Sequence, residues 1–235
     1  MTKAVESPKL RAALAAAALV ESGMTVGLGS GSTAALMVRR LGERVEQERL
    51  KFVAVATSIA TADLARSLDI AIVELDDVAT LDINLDGADE IDPQFEMVKG
   101  RGGALLREKI VATASRHRVT MITADKRVER LGLIVPIPVE VSPIGVKHTE
   151  LMLQQLGAST TIRGYPDGSP YLTDGGNKIV DCRFATLADP RALDRQLQCI
   201  AGVLETGLFL DLCDTLIVGI EGGVERFENP ERHRG

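Results

Sequence analysis

The chain has 235 residues, of which 45% are hydrophobic and 26% charged, as in an ordinary globular protein. A formal net charge of -6 and an aromatic content of 3% without tryptophan exclude the basic, base-stacking surfaces of general nucleic-acid binders. Cys182, Cys199 and Cys213 have no CxxC spacing, which predicts buried thiols in a reducing compartment and neither disulfides nor a zinc site.

The first predicted element is a helix in the alanine-rich run Ala12–Val20. This apolar run of nine residues is too short to cross a bilayer, which takes about 20 residues. Pro8 suits the start of a helix, and Ser22-Gly23 suits its end. Because Val20-Glu21-Ser22 is a poor cleavage site for a signal peptide, we expect a packed helix and a cytoplasmic protein.

Strands and helices then alternate through the first half of the chain. Short apolar strands separated by helices predict a Rossmann-like, doubly wound and mostly parallel α/β sheet, with ligands at the carboxyl ends of its strands. The predicted strands are Thr25–Leu28, Phe52–Ala56, Ala71–Glu74, Leu81–Leu85 and Val119–Thr123, and the predicted helices run from the glycine turn to about Leu41, Thr61–Leu68 and Gly103–Arg116.

The second half changes to a β-α-β-β-α-β order, which is typical of a ferredoxin-like α+β subdomain. We therefore expect an inserted subdomain over residues 131–206 and a Rossmann-like catalytic domain over 1–130 plus 207–235, with Thr215–Ile220 as one more strand of the main sheet. The elements are Ile137–Val141, Val146–Leu156, Thr160–Arg163, Lys178–Phe184, Pro190–Ile200 and Glu205–Leu210.

The stretch VGLGSGSTA, residues 26–34, is a glycine-rich turn between a strand and a helix. Its glycines do not have the G-x-G-x-x-G spacing of a dinucleotide site, no acidic residue ends the next strand, and the lysine of a P-loop is missing. Two interpretations stay open from these residues. Backbone N–H groups and the hydroxyls of Ser30, Ser32 and Thr33 could hold a small phosphate, or Ser or Thr could simply cap the helix.

The stretch LDINLDGADEID, residues 81–92, imitates the start of a calcium loop. The twelfth position of such a loop must be a bidentate Glu, but here it is Pro93, so we do not expect calcium. Asp86 and Asp89 instead follow a strand, at the edge where ligands are expected. Their carboxylates could move hydroxyl protons. An acidic surface turn is the simpler interpretation of this stretch alone.

The stretch VKGRGGALLREK, residues 98–109, places Lys99 before a second glycine-rich turn. A lysine can stabilise a developing oxyanion. Periodicity alone predicts that Glu108 is solvated between its charged neighbours. Lys126 lies at another strand end, and His117, His148 and His233 have no metal-binding spacing. Together these signals predict a site for an anionic ligand with acid–base groups and no metal.

These blocks resemble type A ribose-5-phosphate isomerases over essentially the whole chain. The likeness rests on their order and spacing as well as their content. The matching blocks are VGLGSGSTA, the TS of VATSIAT, DGADEID, KGRGGALLREK, KRVERLG, PIPVEV, TGLF and VGIEGGVE.

The resemblance implies interconversion of ribose 5-phosphate and ribulose 5-phosphate through a cis-enediolate, with no cofactor and no metal. It implies a small-molecule substrate, no nucleic-acid or membrane partner, and a homodimer or homotetramer. Glu108 takes the place of the family's proton-shuttling base, and Asp86, Asp89 and Lys99 those of its other catalytic residues. The implied substrate contacts are Ser30, Gly31, Ser32, Thr33, Asp86, Gly87, Ala88, Asp89, Lys99, Gly100, Arg101, Gly102 and Lys126.

Two departures and two rival functions accompany the resemblance. Arg101 stands where some members have glycine, and Thr123-Ala124-Asp125-Lys126 replaces a frequent D-x-S-K in the turn before Lys126. A non-catalytic sugar-phosphate sensor of similar fold is the alternative function, and the joint presence of the four catalytic residues argues against it. A nucleotide-dependent oxidoreductase is disfavoured by the glycine spacing and by Thr57-Ser58.

Overall fold

A computed structural model of the chain describes residues 7–231. Contacts between residues divide the chain into two compact units. The first unit comprises the chain up to Ala88, Ile110–Lys126 and the chain from Leu212 onward, and the second comprises Asp89–Lys109 and Arg127–Asp211.

The described residues form helices and strands in the following chain order. The helices are α1 (Pro8–Ala17), α2 (Ser32–Glu48), α3 (Ile59–Arg66), α4 (Leu105–Thr113), α5 (Val146–Gln155) and α6 (Pro190–Gln198). The strands are β1 (Thr25–Leu28), β2 (Val53–Ala56), β3 (Ala71–Ile72), β4 (Leu81–Asp86), β5 (Glu90–Ile91), β6 (Met97–Val98), β7 (Ser115–Thr123), β8 (Ile137–Val141), β9 (Ser159–Ile162), β10 (Lys178–Arg183), β11 (Val203–Thr206), β12 (Leu208–Phe209), β13 (Thr215–Ile220) and β14 (Gly223–Glu228). Short 3-10 turns cover Leu75–Asp77 and Ala124–Lys126.

The first unit contains a seven-stranded sheet in the order β14-β13-β7-β4-β1-β2-β3. All neighbouring pairs are parallel except β13 and β14. The sheet confirms the predicted α/β class and the predicted place of Thr215–Ile220. Helix α1 begins where the Ser7 side chain accepts a hydrogen bond from the Leu10 N–H at 3.3 Å, one residue before Pro8. Its buried alanines pack into the core of this unit.

Glycines in and after β1 leave room for two polar side chains of the neighbouring strand β4. Gly27 pairs with Asn84 in the parallel register. A methyl group at Gly27 would lie 2.6 Å from the Asn84 amide oxygen. A methyl group at Gly29 would lie 2.0 Å from Asp86 Oδ1 and 2.6 Å from the Asp86 Cα. Gly27 and Gly29 of VGLGSGSTA are therefore required because Asn84 and Asp86 fill the space beside them.

The second unit contains two antiparallel sheets. One has four strands in the order β11-β8-β10-β9, and the other has three in the order β12-β6-β5. Strands β8 to β11 with helices α5 and α6 follow the predicted β-α-β-β-α-β order. Their apolar faces form one buried cluster that includes Val139, Val180 and Leu197.

The observed unit bounds differ from the sequence-based domain bounds. Asp89–Lys109, which the sequence places in the Rossmann-like domain, belongs to the second unit, where β6 pairs with β12 and β5 pairs with β6. The second unit then resumes at Arg127 and continues to Asp211, whereas the predicted insertion covered residues 131–206. Residues 1–6 and 232–235 of the predicted domains, His233 among them, lie outside the described residues.

Some local features differ from the predictions. Glu205–Leu210 is not one strand but parts of β11 and β12, which belong to different sheets. Helix α2 continues to Glu48, and β14 was not predicted.

Two of the three cysteines are buried, as predicted. Burial raises the pKa values of the Cys182 and Cys213 thiols to about 12, as expected of unreactive core residues. Cys199 was predicted to be buried but is exposed, just after α6. No helix within residues 7–231 is long and apolar enough to span a bilayer.

We predict that Gly29→Ala destabilises the protein by about 1–3 kcal/mol, the usual cost of overpacking a filled site. The new methyl group would meet the backbone of Asp86, which cannot rotate away as a side chain could. Urea denaturation measures the change. The matched control is Gly223→Ala, where no atom lies within 4 Å of the new methyl group. Equal midpoints for the two variants would contradict the close packing at Gly29.

Candidate functional site

The glycine turn of the first unit leads into the N-terminus of α2. Gly31 is the N-cap residue with φ of 94°, and no side chain forms a cap hydrogen bond to this helix. The alternative interpretation, in which Ser or Thr caps the helix, is therefore wrong. Ser30 and Thr33 are partly buried, and Gly31 and Ser32 are exposed. The turn thus presents uncapped helix N–H groups together with hydroxyls, an arrangement that suits an anion.

Hydrogen bonds among hydroxyl groups stabilise this turn. Ser30 Oγ lies 2.7 Å from Thr57 Oγ1, and the Thr57 hydroxyl also donates to the Leu28 carbonyl at 3.1 Å. The Thr61 hydroxyl donates to the Gly29 carbonyl at 3.0 Å. Ser58 caps α3 by accepting from the Thr61 N–H. Local sequence patterns did not predict this bracing role of Thr57 and Thr61, although the TS of VATSIAT was a signal for it.

The first unit also contains two lysines of interest, Lys9 and Lys126. Lys9, on α1, donates to the Ser32 hydroxyl at 3.1 Å, a contact that no sequence pattern predicted. Lys126 ends the 3-10 turn Ala124–Lys126 with its side chain 25% exposed. Its ammonium lies 4.0 Å from the Asp125 carboxylate. At this distance, and with Asp125 exposed, the ion pair between the two side chains is weak.

Asp86 is buried at the carboxyl end of β4, which corrects the simpler interpretation of an exposed acidic turn. Its Oδ1 accepts hydrogen bonds from the N–H of Ser30 at 3.1 Å and of Gly87 at 2.7 Å. Gly87 and Ala88 follow it, partly buried. The carboxylate therefore ties the glycine turn after β1 to the end of β4.

Asp89 and the second glycine turn belong to the second unit. Asp89 is partly buried, and its Oδ2 accepts a hydrogen bond from the Arg101 N–H at 2.9 Å. Gly100 has φ of 102° and is buried, whereas Arg101 and Gly102 are exposed. The positive φ explains why glycine follows Lys99.

Lys99 and Glu108 form a buried ion pair within the second unit. Lys99 is 5% exposed and Glu108 is 6% exposed, and Lys99 Nζ lies 3.5 Å from Glu108 Oε2. The periodicity-based prediction that Glu108 is solvated was wrong. Its carboxylate is buried beside the Lys99 ammonium instead. The Lys99 ammonium also lies 5.3 Å from the centre of the Phe209 ring.

The backbone of Lys99 is fixed by the TGLF block. The Lys99 N–H donates to the Gly207 carbonyl at 2.9 Å, and a methyl group at Gly207 would lie 2.4 Å from the Lys99 carbonyl oxygen. Phe209 then pairs with Met97 in the β12–β6 ladder. The second unit therefore holds a carboxylate and an ammonium side by side, which are the groups that general-base catalysis and oxyanion stabilisation require.

Glu90, which follows Asp89 directly, has a structural role. It is completely buried, and its carboxylate accepts hydrogen bonds from the N–H groups of Gly132, Ile134 and Val135. It thereby ties the DGADEID block to the end of KRVERLG. Three such bonds compensate the burial of its charge.

Comparison with known proteins identifies the family. Residues 53–223 match the model of the family described as ribose 5-phosphate isomerase A (phosphoriboisomerase A). A protein of Thermomicrobium roseum named ribose-5-phosphate isomerase A is 48% identical over 224 residues, which are 95% of this chain and 94% of that protein. This chain belongs to the ribose 5-phosphate isomerase A family. It is an isomerase.

Solved structures of the family share the fold. The enzyme from Methanocaldococcus jannaschii superimposes with a TM-score of 0.89 at 38% identity, over 94% of this chain and 98% of that one. A D-ribose-5-phosphate isomerase solved in complex with phospho-erythronic acid gives a TM-score of 0.91 at 37% identity, over 96% and 100% of the two chains. The resemblance and the Rossmann-like α/β class inferred from sequence are thus confirmed.

Proposed function

We propose that this chain interconverts D-ribose 5-phosphate and D-ribulose 5-phosphate through a cis-enediolate. The observation that carries the proposal is the buried Lys99–Glu108 pair inside the family block KGRGGALLREK. Membership of the isomerase family supports the substrate.

Glu108 is proposed as the base that moves the proton between C1 and C2. One carboxylate that reaches both carbons from the same side can take the proton from C2 of the aldose and return it to C1. The negative charge that develops on the enediolate oxygen needs a cation or a hydrogen-bond donor. We assign this part to Lys99, whose ammonium already lies 3.5 Å from the Glu108 carboxylate.

Asp86 and Asp89 are proposed to move the hydroxyl protons, including the proton transfer that opens the furanose ring. Each carboxylate is held on one oxygen by backbone N–H groups, Asp86 by Ser30 and Gly87 and Asp89 by Arg101. Such hydrogen bonds fix the orientation of a carboxylate toward a ligand.

The turn Ser30–Thr33, Lys9 and Lys126 are proposed to bind the phosphate-bearing end of the sugar. The uncapped N-terminus of α2 and the Lys9 ammonium at Ser32 support this assignment, because both favour a dianion. The remaining proposed substrate contacts are Gly87, Ala88, Gly100, Arg101 and Gly102. That a relative was solved with phospho-erythronic acid supports a phosphorylated polyhydroxy ligand.

The setting of the enzyme is proposed from the family resemblance. We assign it to the non-oxidative pentose phosphate pathway in the cytoplasm, as a homodimer or homotetramer. Exposed apolar side chains of the ferredoxin-like segment, such as Ile144 and Leu151, support contact between copies.

The purified protein is expected to form ribulose 5-phosphate from ribose 5-phosphate in the presence of EDTA. The measurement is the rate of ketose formation, with the same buffer containing Mg²⁺ as the comparison. The proposed route uses only side chains of the chain, so EDTA should leave the rate unchanged. Absence of turnover, or turnover that requires added metal, contradicts the proposal.

Glu108→Gln is expected to lower kcat by about 10²–10⁴-fold or more with little change in KM, because an amide cannot accept the carbon-bound proton. The matched control is Glu205→Gln. Glu205 pairs with Lys109 at 2.6 Å, and the Lys109 ammonium lies 4.9 Å from the same Phe209 ring. The control therefore removes a similar ion pair without removing the proposed base. If both variants turn over equally fast, Glu108 is not the base.

A further inference from the structure

Three consecutive carbonyl groups of the second glycine turn are held by two side chains that the proposed chemistry does not use. Arg163, which follows β9, donates from Nη1 to the Gly100 carbonyl at 3.0 Å and to the Arg101 carbonyl at 3.1 Å. The Tyr171 hydroxyl donates to the Gly102 carbonyl at 3.1 Å. All of these residues belong to the second unit.

Arg163 is itself held in one orientation. Its Nε and Nη2 donate to the two carboxylate oxygens of Asp181, at 2.9 and 2.5 Å. A bidentate pair of this kind fixes the plane of the guanidinium and leaves Nη1 directed at the turn. The Tyr171 ring lies 5.7 Å from the Arg163 guanidinium carbon. Burial raises the pKa of Tyr171, so its hydroxyl stays a donor at neutral pH.

Tyr171 also accounts for the glycine at position 103. A methyl group there would lie 1.9 Å from the Tyr171 hydroxyl oxygen and 2.6 Å from the ring carbon that bears it. Gly103 has φ of 82° in addition. The turn and the tyrosine therefore fit each other closely, and the hydroxyl reaches the Gly102 carbonyl because no side chain intervenes.

Holding these carbonyls determines where the N–H groups of the turn point. In a planar trans peptide the C=O and the following N–H are directed oppositely. The N–H opposite the Gly100 carbonyl is that of Arg101, which donates to Asp89 Oδ2 at 2.9 Å. The N–H opposite the Gly102 carbonyl is that of Gly103, which donates back to the Gly100 carbonyl at 2.9 Å. A continuous chain of contacts thus runs from Asp181 through Arg163 and one peptide group to Asp89.

We propose that Arg163 and Tyr171 are positioning residues, which orient the peptide groups of the turn Gly100–Gly103 and through them the Asp89 carboxylate for isomerisation. The part that concerns isomerisation rests on the function proposed above. Neither residue touches the substrate in this proposal. Their effect is to keep Asp89 and the N–H groups of the turn in one geometry, which reduces the reorganisation that catalysis would otherwise require.

The first test uses Tyr171→Phe, which keeps the ring and removes only the hydroxyl. Its matched control is Tyr165→Phe, since Tyr165 is the exposed partner ring at 5.5 Å. We expect Tyr171→Phe to lower kcat about 2- to 10-fold, the range of one net hydrogen bond, with KM and the thermal midpoint close to those of the control. A kcat equal to that of Tyr165→Phe overturns the role of Tyr171.

The second test uses Arg163→Met, with Arg183→Met as the control because Arg183 is exposed on the adjacent strand β10. We expect kcat to fall roughly 10²-fold, since a small misplacement of catalytic groups has effects of that size. Arg163→Lys should not restore the rate, because an ammonium cannot bind Asp181 and both carbonyls in one plane. Full activity of a folded Arg163→Lys variant overturns the role of Arg163.

Amide hydrogen exchange separates this inference from the proposed function. If the wild-type protein does not isomerise ribose 5-phosphate, the proposed function fails, and the orientation of the turn is still measured directly. Arg163→Met should raise exchange at residues 100–103 about 5- to 30-fold, with the β10 amides unchanged. Unchanged exchange at the turn overturns the inference. If Arg163→Met loses protection throughout the protein, Tyr171→Phe takes its place in the same measurement. Faster exchange confined to the turn of Tyr171→Phe then supports the inference.

Discussion

The burial of the Lys99 ammonium beside the Glu108 carboxylate is the constraint on which the second unit depends. Two charges removed from water are tolerated only when their geometry and their remaining hydrogen bonds are well defined. The fold meets this demand with short, non-local pieces. Gly207, directly before β12, supplies the carbonyl that the Lys99 backbone N–H binds, and β12 supplies the Phe209 ring beside the Lys99 ammonium. Because β12 pairs with β6, which ends directly before Lys99, the three-stranded sheet positions the lysine.

A comparable constraint governs the first unit at Asp86. Its carboxylate is buried at the end of β4, where it accepts from two backbone N–H groups, and this is possible only because Gly29 has no side chain. Packing against Asn84 and Asp86 explains Gly27 and Gly29 of VGLGSGSTA. The third glycine, Gly31, is explained by its positive φ. In both units glycines bring the backbone close to charged groups. The glycine turn of the first unit is stabilised by hydrogen bonds from hydroxyl groups, and the carbonyls of the turn in the second unit accept hydrogen bonds from Arg163 and Tyr171.

Local patterns in the sequence were sufficient for much of the fold. The alternation of strands and helices predicted the parallel sheet, and Ile137–Val141 and Thr215–Ile220 were predicted with their observed bounds. The failures share a non-local cause. The break between β11 and β12 depends on the close approach of Gly207 to Lys99, which no local pattern contains. Glu108 was predicted to be solvated because its neighbours are charged, yet it is buried beside Lys99. The family resemblance singled out Lys99 and Glu108 where periodicity did not, whereas Lys9, Arg163 and Tyr171 stood out by neither route.

We propose that Glu108 serves both carbons of the reacting sugar. The most direct measurement is an experimental structure of the protein with an unreactive pentose 5-phosphate analogue bound. The proposed mechanism predicts one Glu108 carboxylate oxygen about 3–3.5 Å from both C1 and C2, on one side of the sugar, with the Lys99 ammonium at the oxygen of the reacting carbonyl. A bound sugar whose C1 and C2 lie beyond the reach of Glu108 would contradict this mechanism.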